Sequence, residues 1–191
     1  MRSLLFITHP EVQIDPGCPV PQWSLSATGR ERMARLACAL LDRSISAVWC
    51  SEERKAIEAA VLLGERLGLA VQRHAQLGEN DRSSTGYVPK TRFEALADRF
   101  FAEPERSVEG WERAIDAQRR IVGAIEHVIT HSPARGNIAV VAHGGVGTLL
   151  LCALKGVAIS RIHDQPGQGH CFAFEFERDQ RRLTHDWQRF E

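Results

Sequence analysis

The sequence has few of the features that mark secreted, membrane or metal-binding proteins. Its five cysteines are scattered and include no Cys-x-x-Cys pair, which argues against a disulfide framework or a zinc site. We expect Cys38, Cys50 and Cys152 to be buried, because they lie in apolar stretches. No stretch approaches the roughly 18 apolar residues of a membrane span, and the apolar run at the N-terminus is too short for a secretory signal. These absences predict a cytoplasmic protein with no membrane partner.

An excess of one charge is also missing. The 24 basic residues balance the 24 acidic ones, so the molecule has no long-range attraction for nucleic acid, and none is expected as a partner. Gly144-Gly145-Val146-Gly147 lacks the third glycine and the acidic residue of a dinucleotide fingerprint. Neither a Walker A loop nor a Gly-x-Ser-x-Gly elbow is present. Any anion site must therefore be built locally from a few residues.

Strand and helix patterns alternate along the chain. With 191 residues, of which 43% are hydrophobic, the chain can bury a core as one domain. The alternation predicts an α/β fold with a mostly parallel sheet. The expected strands are Leu4–Thr8, Ile45–Cys50, Leu69–Arg73 and Ile138–Ala142, with a hairpin of Cys171–Phe176 and Leu183–Trp187. The expected helices run from Ser26 or Thr28 to about Leu41, from Ser51 to Gly68, and over Phe93–Phe101, Trp111–His131 and Val146–Leu154.

Two histidines follow apolar strands in the same way. His9 ends the first strand, and His143 follows the strand Ile138–Ala142. The carboxyl ends of strands in open α/β sheets are where ligands bind. The helix after Gly144 would add free backbone N–H groups, which suit an anion.

The ordered set of motifs resembles the histidine phosphatase (phosphoglycerate-mutase-like) superfamily. The segment from Ser51 to Ala60 is similar to its Ser-Pro-Leu-x-Arg-Ala-x-x-Thr-Ala motif and places Lys55 at the arginine position. The resemblance implies a three-layer α/β/α sandwich and a single domain over 1–191, with an inserted loop or cap over about 77–110. It also implies that His9 accepts the phosphoryl group and that His143, Ser51, Lys55 and Gly144 help to bind it.

Phosphoryl transfer through histidine needs an acid that protonates the leaving oxygen and then a base that activates water. The family takes this carboxylate from the region after the third strand, where Glu79 stands. Asp81 lies two residues further on and remains a rival for the same role. A connection as long as the one that carries both residues is usually functional.

The first motif departs from the family, which has Arg-His-Gly where this chain has Thr8-His9-Pro10. Thr8 removes a cation from the phosphate site, and Pro10 removes a glycine and a backbone N–H donor. We place Thr8 among the residues that line the substrate site and take Arg82 as the candidate replacement for the missing cation. A surface arginine in a loop is the alternative interpretation of Arg82.

The sequence therefore predicts a phosphoric monoester hydrolase that acts on a small phosphorylated metabolite through a phosphohistidine on His9. No metal ion or organic cofactor is expected, and a homodimer is compatible with the sequence. The alternative is a family member of weak or no catalytic activity that binds an anionic ligand or a protein partner. The departures at Thr8 and Pro10 favour this alternative, whereas the presence of His9, Glu79 and His143 together favours the enzyme.

Overall fold

The computed structural model describes residues 1–178 and 180–190. The strands in these residues form one sheet in the order β3-β2-β4-β1-β5-β6. The four strands β1 to β4 are parallel, and β5 and β6 are antiparallel to their neighbours. The predicted α/β fold with a mostly parallel sheet is therefore confirmed. The strands are β1 (Arg2–Thr8), β2 (Ile45–Cys50), β3 (Val71–Arg73), β4 (Asn137–Ala142), β5 (His170–Glu177) and β6 (Gln180–Arg189).

Helices cover both faces of the sheet. They are α1 (Ala27–Ala39), α2 (Arg54–Leu67), α3 (Lys90–Ala102), α4 (Ala114–His131) and α5 (Gly144–Lys155). Successive residues of a strand face opposite sides of a sheet. Phe6 accordingly packs with α3, α4 and α5, whereas Ile7 packs with α1 and α2. The result is the three-layer α/β/α sandwich that the sequence predicts.

The helix ends follow local chemistry in some places and tertiary contacts in others. Ser26, and not Thr28, caps α1, because its hydroxyl oxygen accepts a hydrogen bond from the N–H of Gly29 at 3.1 Å. Gly68 ends α2 as predicted, with a left-handed φ of 68° that glycine adopts without strain. The long helix α4 begins at Ala114 and not at Trp111.

The segment 77–110 lies between β3 and α4 and contains α3. Its apolar residues Leu96, Phe100 and Phe101 are buried in the core shared with α4 and α5, so this part of the chain packs on the same layer as those helices. Cys38 is exposed, which corrects its expected burial, whereas Cys50 and Cys152 are buried. Among the described residues, no helix combines the length and the apolar character needed to cross a membrane.

Candidate active site

The two histidines of the sequence motifs lie side by side at the carboxyl ends of β1 and β4. These strands pair in parallel, with Thr8 opposite Ala142, and the N–H of His9 donates to the carbonyl of Ala142 at 3.1 Å. The centroids of the His9 and His143 rings are 5.3 Å apart. The parallel register thus places both imidazoles on one wall of the same crevice.

The ring of His9 is oriented by the residue that follows it. Its Nδ1 lies 2.9 Å from the carbonyl oxygen of Pro10. A carbonyl can only accept, so Nδ1 carries the proton and Nε2 keeps its lone pair. Burial, and then the charge of Lys55, lowers the pKa of His9 to about 4. His9 is therefore neutral at physiological pH, with a nucleophilic nitrogen available. Although Pro10 has no backbone N–H to donate, its carbonyl oxygen orients the His9 ring in this way.

The imidazole of His143 is fully buried, and one of its nitrogens has no partner. Its Nε2 lies 2.6 Å from the hydroxyl oxygen of Ser51, whereas its Nδ1 makes no hydrogen bond. Burial is the main cause that lowers the pKa of His143 to about 4. If the Ser51 hydroxyl donates to Nε2, the neutral ring carries its proton on Nδ1. That tautomer offers one N–H donor to a bound group.

The start of the second helix differs from the prediction, which begins this helix at Ser51. Helix α2 begins at Arg54, and Glu53 is its N-cap residue. The hydroxyl oxygen of Ser51 accepts from the N–H of Glu53 at 3.3 Å while it contacts His143. Ser51 therefore precedes the helix, and its hydroxyl connects the start of α2 to His143.

Glu53 lies at the centre of the site and was missed by the sequence analysis. Its carboxylate forms an ion pair with the ammonium of Lys55, accepts from the N–H of Glu79 at 2.9 Å, and approaches Nε2 of His143 to 3.4 Å. Burial opposes its ionisation, but His143, Lys55 and these hydrogen bonds together hold the pKa of Glu53 well below its usual range. The site therefore contains a buried anion between Lys55 and His143.

The ammonium of Lys55 is engaged within the protein. Its side chain is 4% exposed, and Nζ donates to Glu53 and to the carbonyl of Val20 at 3.0 Å. A buried lysine on the alanine-rich face of α2 is the signal that could have revealed Glu53, because a buried ammonium needs a carboxylate partner. Lys55 remains a candidate phosphate ligand, but Glu53 balances its charge.

Glu79 lies at the N-terminus of α5, beside His143. Its two carboxylate oxygens accept from the N–H groups of Gly145 and Val146, both at 3.0 Å. The helix N-terminus that was expected to hold a bound anion thus already binds a carboxylate of the chain. Its first amide, that of Gly144, donates no hydrogen bond to the part of the chain that the structure describes.

The rival carboxylate, Asp81, is exposed and accepts from the N–H of Ser83 at 2.8 Å. Hydrogen bonds from Ser83 lower the pKa of Asp81. Asp81 thus turns toward Ser83, whereas Glu79 lies at the N-terminus of α5. The geometry therefore favours Glu79 over Asp81 as the general acid.

Arg82 is held by aromatic rings. Its guanidinium lies 5.0 Å from the centroid of Phe93 and 5.7 Å from that of Trp111. Within residues 1–178 and 180–190, no carboxylate forms an ion pair with it. Its charge contributes to lowering the pKa of His9, so it acts on the site electrostatically. This placement suits a cation that remains available to an anionic ligand.

Thr8 does not face the crevice with a free hydroxyl. It is fully buried, and its Oγ1 lies 2.6 Å from Oε1 of Gln165 and accepts from the N–H of His170 at 3.0 Å. Gln165 is the second residue that the sequence analysis missed. Nothing in the local sequence marks it, since it is 157 positions from Thr8.

No group of three or more histidine, cysteine, aspartate or glutamate residues in the described chain is arranged to hold a metal ion.

The chain is similar to known proteins in both sequence and fold. The family model described as histidine phosphatase superfamily (branch 1) matches residues 15–187. A glucosyl-3-phosphoglycerate phosphatase from Mycolicibacterium vanbaalenii is 24% identical over 183 residues, which cover 89% of this chain and 81% of that protein.

Two solved structures share the fold over nearly the whole chain. The mycobacterial glucosyl-3-phosphoglycerate phosphatase superimposes with a TM-score of 0.83 at 22% identity, covering 100% of both chains. The α-ribazole phosphatase from Shigella flexneri superimposes with a TM-score of 0.72 at 21% identity, covering 98% of this chain and 97% of that one.

Proposed function

The chain belongs to the histidine phosphatase superfamily, and we propose that it hydrolyses a small phosphate ester through a phosphohistidine on His9. Membership of this family supports a phosphoric monoester hydrolase. One observation carries the mechanism: Nδ1 of His9 donates to the Pro10 carbonyl, which leaves Nε2 free beside the unpartnered Nδ1 of His143.

In the first step, Nε2 of His9 attacks phosphorus and the bond from phosphorus to the leaving oxygen breaks. Glu79 gives its proton to that oxygen, so the alcohol departs neutral. In the second step, Glu79 takes a proton from water, and the resulting nucleophile breaks the bond between phosphorus and His9. The products are the alcohol and inorganic phosphate, and the imidazole is restored.

Fixed donors around the phosphoryl group supply most of the stabilisation in such a reaction. We assign this role to Nδ1–H of His143, the amide of Gly144, the guanidinium of Arg82 and, once released from Glu53, the ammonium of Lys55. Ser51 acts through His143, whose ring it orients. No metal ion and no organic cofactor take part in this scheme.

The alternative is a member that binds an anionic ligand or a protein partner without turnover. The observation in its favour is the ion pair of Glu53 with Lys55, which neutralises one cation of the site. A weakly charged pocket would hold a phosphoryl group less tightly in the transition state, and each loss of about 1.4 kcal/mol lowers the rate about tenfold.

A phosphate-release screen over many esters tests the proposal. It should include glucosyl-3-phosphoglycerate, the substrate in the name of the mycobacterial relatives. We expect release from at least one ester by the wild type and none by His9→Ala, with circular dichroism as the check on folding. Binding of vanadate by the wild type without release from any ester would favour the alternative.

The remaining expectations stay proposals. We place the protein in the cytoplasm, with a small phosphorylated metabolite as its partner and without nucleic acid or membrane partners. The single domain over 1–191, its inserted segment over about 77–110 and the homodimer also remain predictions.

A further inference from the structure

Gln165 contacts both histidine motifs. The hydroxyl of Thr8, which precedes His9, lies 2.6 Å from Oε1 of Gln165. On the other side, Gly144 follows His143, and a Cβ added to Gly144 would lie 2.4 Å from Nε2 of Gln165. The amide group of Gln165 thus fills the space between the two motifs, on the wall of the proposed phosphate site.

The hydrogen-bond length identifies which end of the amide faces Thr8. A separation of 2.6 Å is ordinary for an O–H···O bond but short for N–H···O. Oγ1 of Thr8 also lies 3.1 Å from the carbonyl oxygen of His170, but the shorter contact takes its single proton. Thr8 therefore donates to the carbonyl oxygen of Gln165, and Nε2 points to the other side, toward Gly144. Nε2 donates no hydrogen bond to any residue that the structure describes, so two N–H donors remain for a ligand.

Contacts with other parts of the protein hold both Thr8 and Gln165 in place. Thr8 is fully buried and its hydroxyl accepts from the N–H of His170 at 3.0 Å. The backbone N–H of Gln165 donates to the carboxylate of Asp164 at 2.8 Å, and that carboxylate also accepts from Thr148 of α5 at 2.8 Å. The side-chain amide of Gln165 is thus held in place before any ligand binds, so that binding costs little conformational entropy at this side chain.

We propose that Gln165 is a substrate-binding residue that donates from Nε2 to a phosphoryl oxygen, with Thr8 as its positioning residue. The inference rests on the proposed function and adds one more phosphate-binding residue to the same site. The pair would supply a neutral donor where the family motif has a cation at position 8. The acceptor would be an anionic oxygen, so this hydrogen bond is charge-assisted although its donor is neutral.

Substitutions of Gln165 test the donor directly. Gln165→Ala should weaken vanadate inhibition by at least about tenfold, as expected for the loss of a hydrogen bond to a charged group. Gln165→Glu should weaken it further, by at least about tenfold, because an acceptor with a negative charge replaces the donor. Gln168→Glu makes the same chemical change on an exposed side chain three residues along and should leave the inhibition constant, kcat and KM unchanged.

Substitutions of Thr8 test the positioning role. Thr8→Val removes the hydroxyl at nearly constant volume and should reproduce the loss seen in Gln165→Ala, whereas Thr8→Ser should restore wild-type inhibition. If Thr8 acts through Gln165, adding Thr8→Val to Gln165→Ala should cause no further loss, which is the non-additive behaviour of coupled residues. A residue with only a structural role would instead lower the melting temperature and leave the inhibition constant of the folded protein unchanged.

The outcomes separate this inference from the function on which it rests. A wild type that binds vanadate, together with Gln165→Ala and Gln165→Glu variants of unchanged affinity, overturns the role of Gln165 alone. Tighter vanadate binding by Gln165→Glu would likewise overturn it, because the amide oxygen would then be the group that faces the ligand. A wild type that neither binds vanadate nor releases phosphate overturns the proposed function and this inference with it.

Discussion

Replacing Glu53 with glutamine should tighten the binding of phosphate analogues. The carboxylate of Glu53 neutralises Lys55 and lies 3.4 Å from Nε2 of His143, so it opposes any anion that rests against that ring. Glutamine is nearly the same size and keeps an oxygen that can accept from the N–H of Glu79, which is 2.9 Å away in the wild type. The substitution therefore removes charge with little change in shape.

The expected magnitude follows from the charges. A carboxylate about 8 Å from a phosphate dianion, at an effective dielectric constant of about 40, repels it by about 2 kcal/mol. Since about 1.4 kcal/mol is tenfold in affinity, the Kd for vanadate should fall by roughly ten- to thirtyfold. The same change leaves the Lys55 ammonium, 4% exposed, without its partner. Breaking a buried ion pair costs about 3–5 kcal/mol, so the free protein should become less stable.

Titration calorimetry with vanadate and thermal unfolding with and without phosphate measure the two effects. Phosphate should raise the melting temperature of Glu53→Gln more than that of the wild type, because the ligand restores a partner to Lys55. Glu58→Gln is the matched control: it removes the same charge from α2, where Glu58 pairs with Arg30 and Arg54. Unchanged or weaker vanadate binding by Glu53→Gln would refute the reasoning and assign Glu53 a purely supporting role.

Three further predictions concern the acid, the cation and the nucleophile. Glu79→Gln should slow the hydrolysis of esters with poor leaving groups by about 100-fold or more and that of activated aryl esters far less. If Asp81→Asn shows this pattern instead, Asp81 is the general acid. Arg82→Ala should weaken vanadate binding by about 1.5–3 kcal/mol, as expected for a charged hydrogen bond, while Arg106→Ala, which is exposed in the same segment, should not. Because the pKa of His9 is lowered to about 4 and attack requires the neutral ring, kcat/KM should not fall on the acid side until the pH approaches 4 to 5. An acid limb near the ordinary histidine value of 6.5 would contradict this assignment.

Much of the fold could be predicted because its signals are local. The strand Ile45–Cys50 has the predicted bounds, since it is an apolar run between turn residues, and Gly68 ends α2 where a left-handed residue is needed. The start of α4 could not be predicted from local signals, because Trp111 packs against Phe100 and Arg82 and does not join the helix.

The candidate active-site residues likewise include some that local sequence signals predict and some that depend on distant contacts. His9 and His143 could be paired from the sequence, because the carboxyl ends of parallel strands meet at one edge of a sheet. The role of Gln165 could not, since it depends on a contact with Thr8 from a distant part of the chain. The role of Glu53 could not be predicted either, because only the folded chain shows that its carboxylate turns toward Lys55 and His143.

The most direct test of the central claim is to trap the phosphorylated enzyme. Protein mixed with a phosphorus-labelled ester that it turns over should be quenched in alkali and mapped by mass spectrometry, since phosphohistidine is stable to base and labile to acid. We predict a label on His9 in the wild type and in His131→Ala, where the lost histidine is exposed at the end of α4, and no label in His9→Ala. A label that persists in folded His9→Ala protein would contradict the assignment of His9 as the nucleophile.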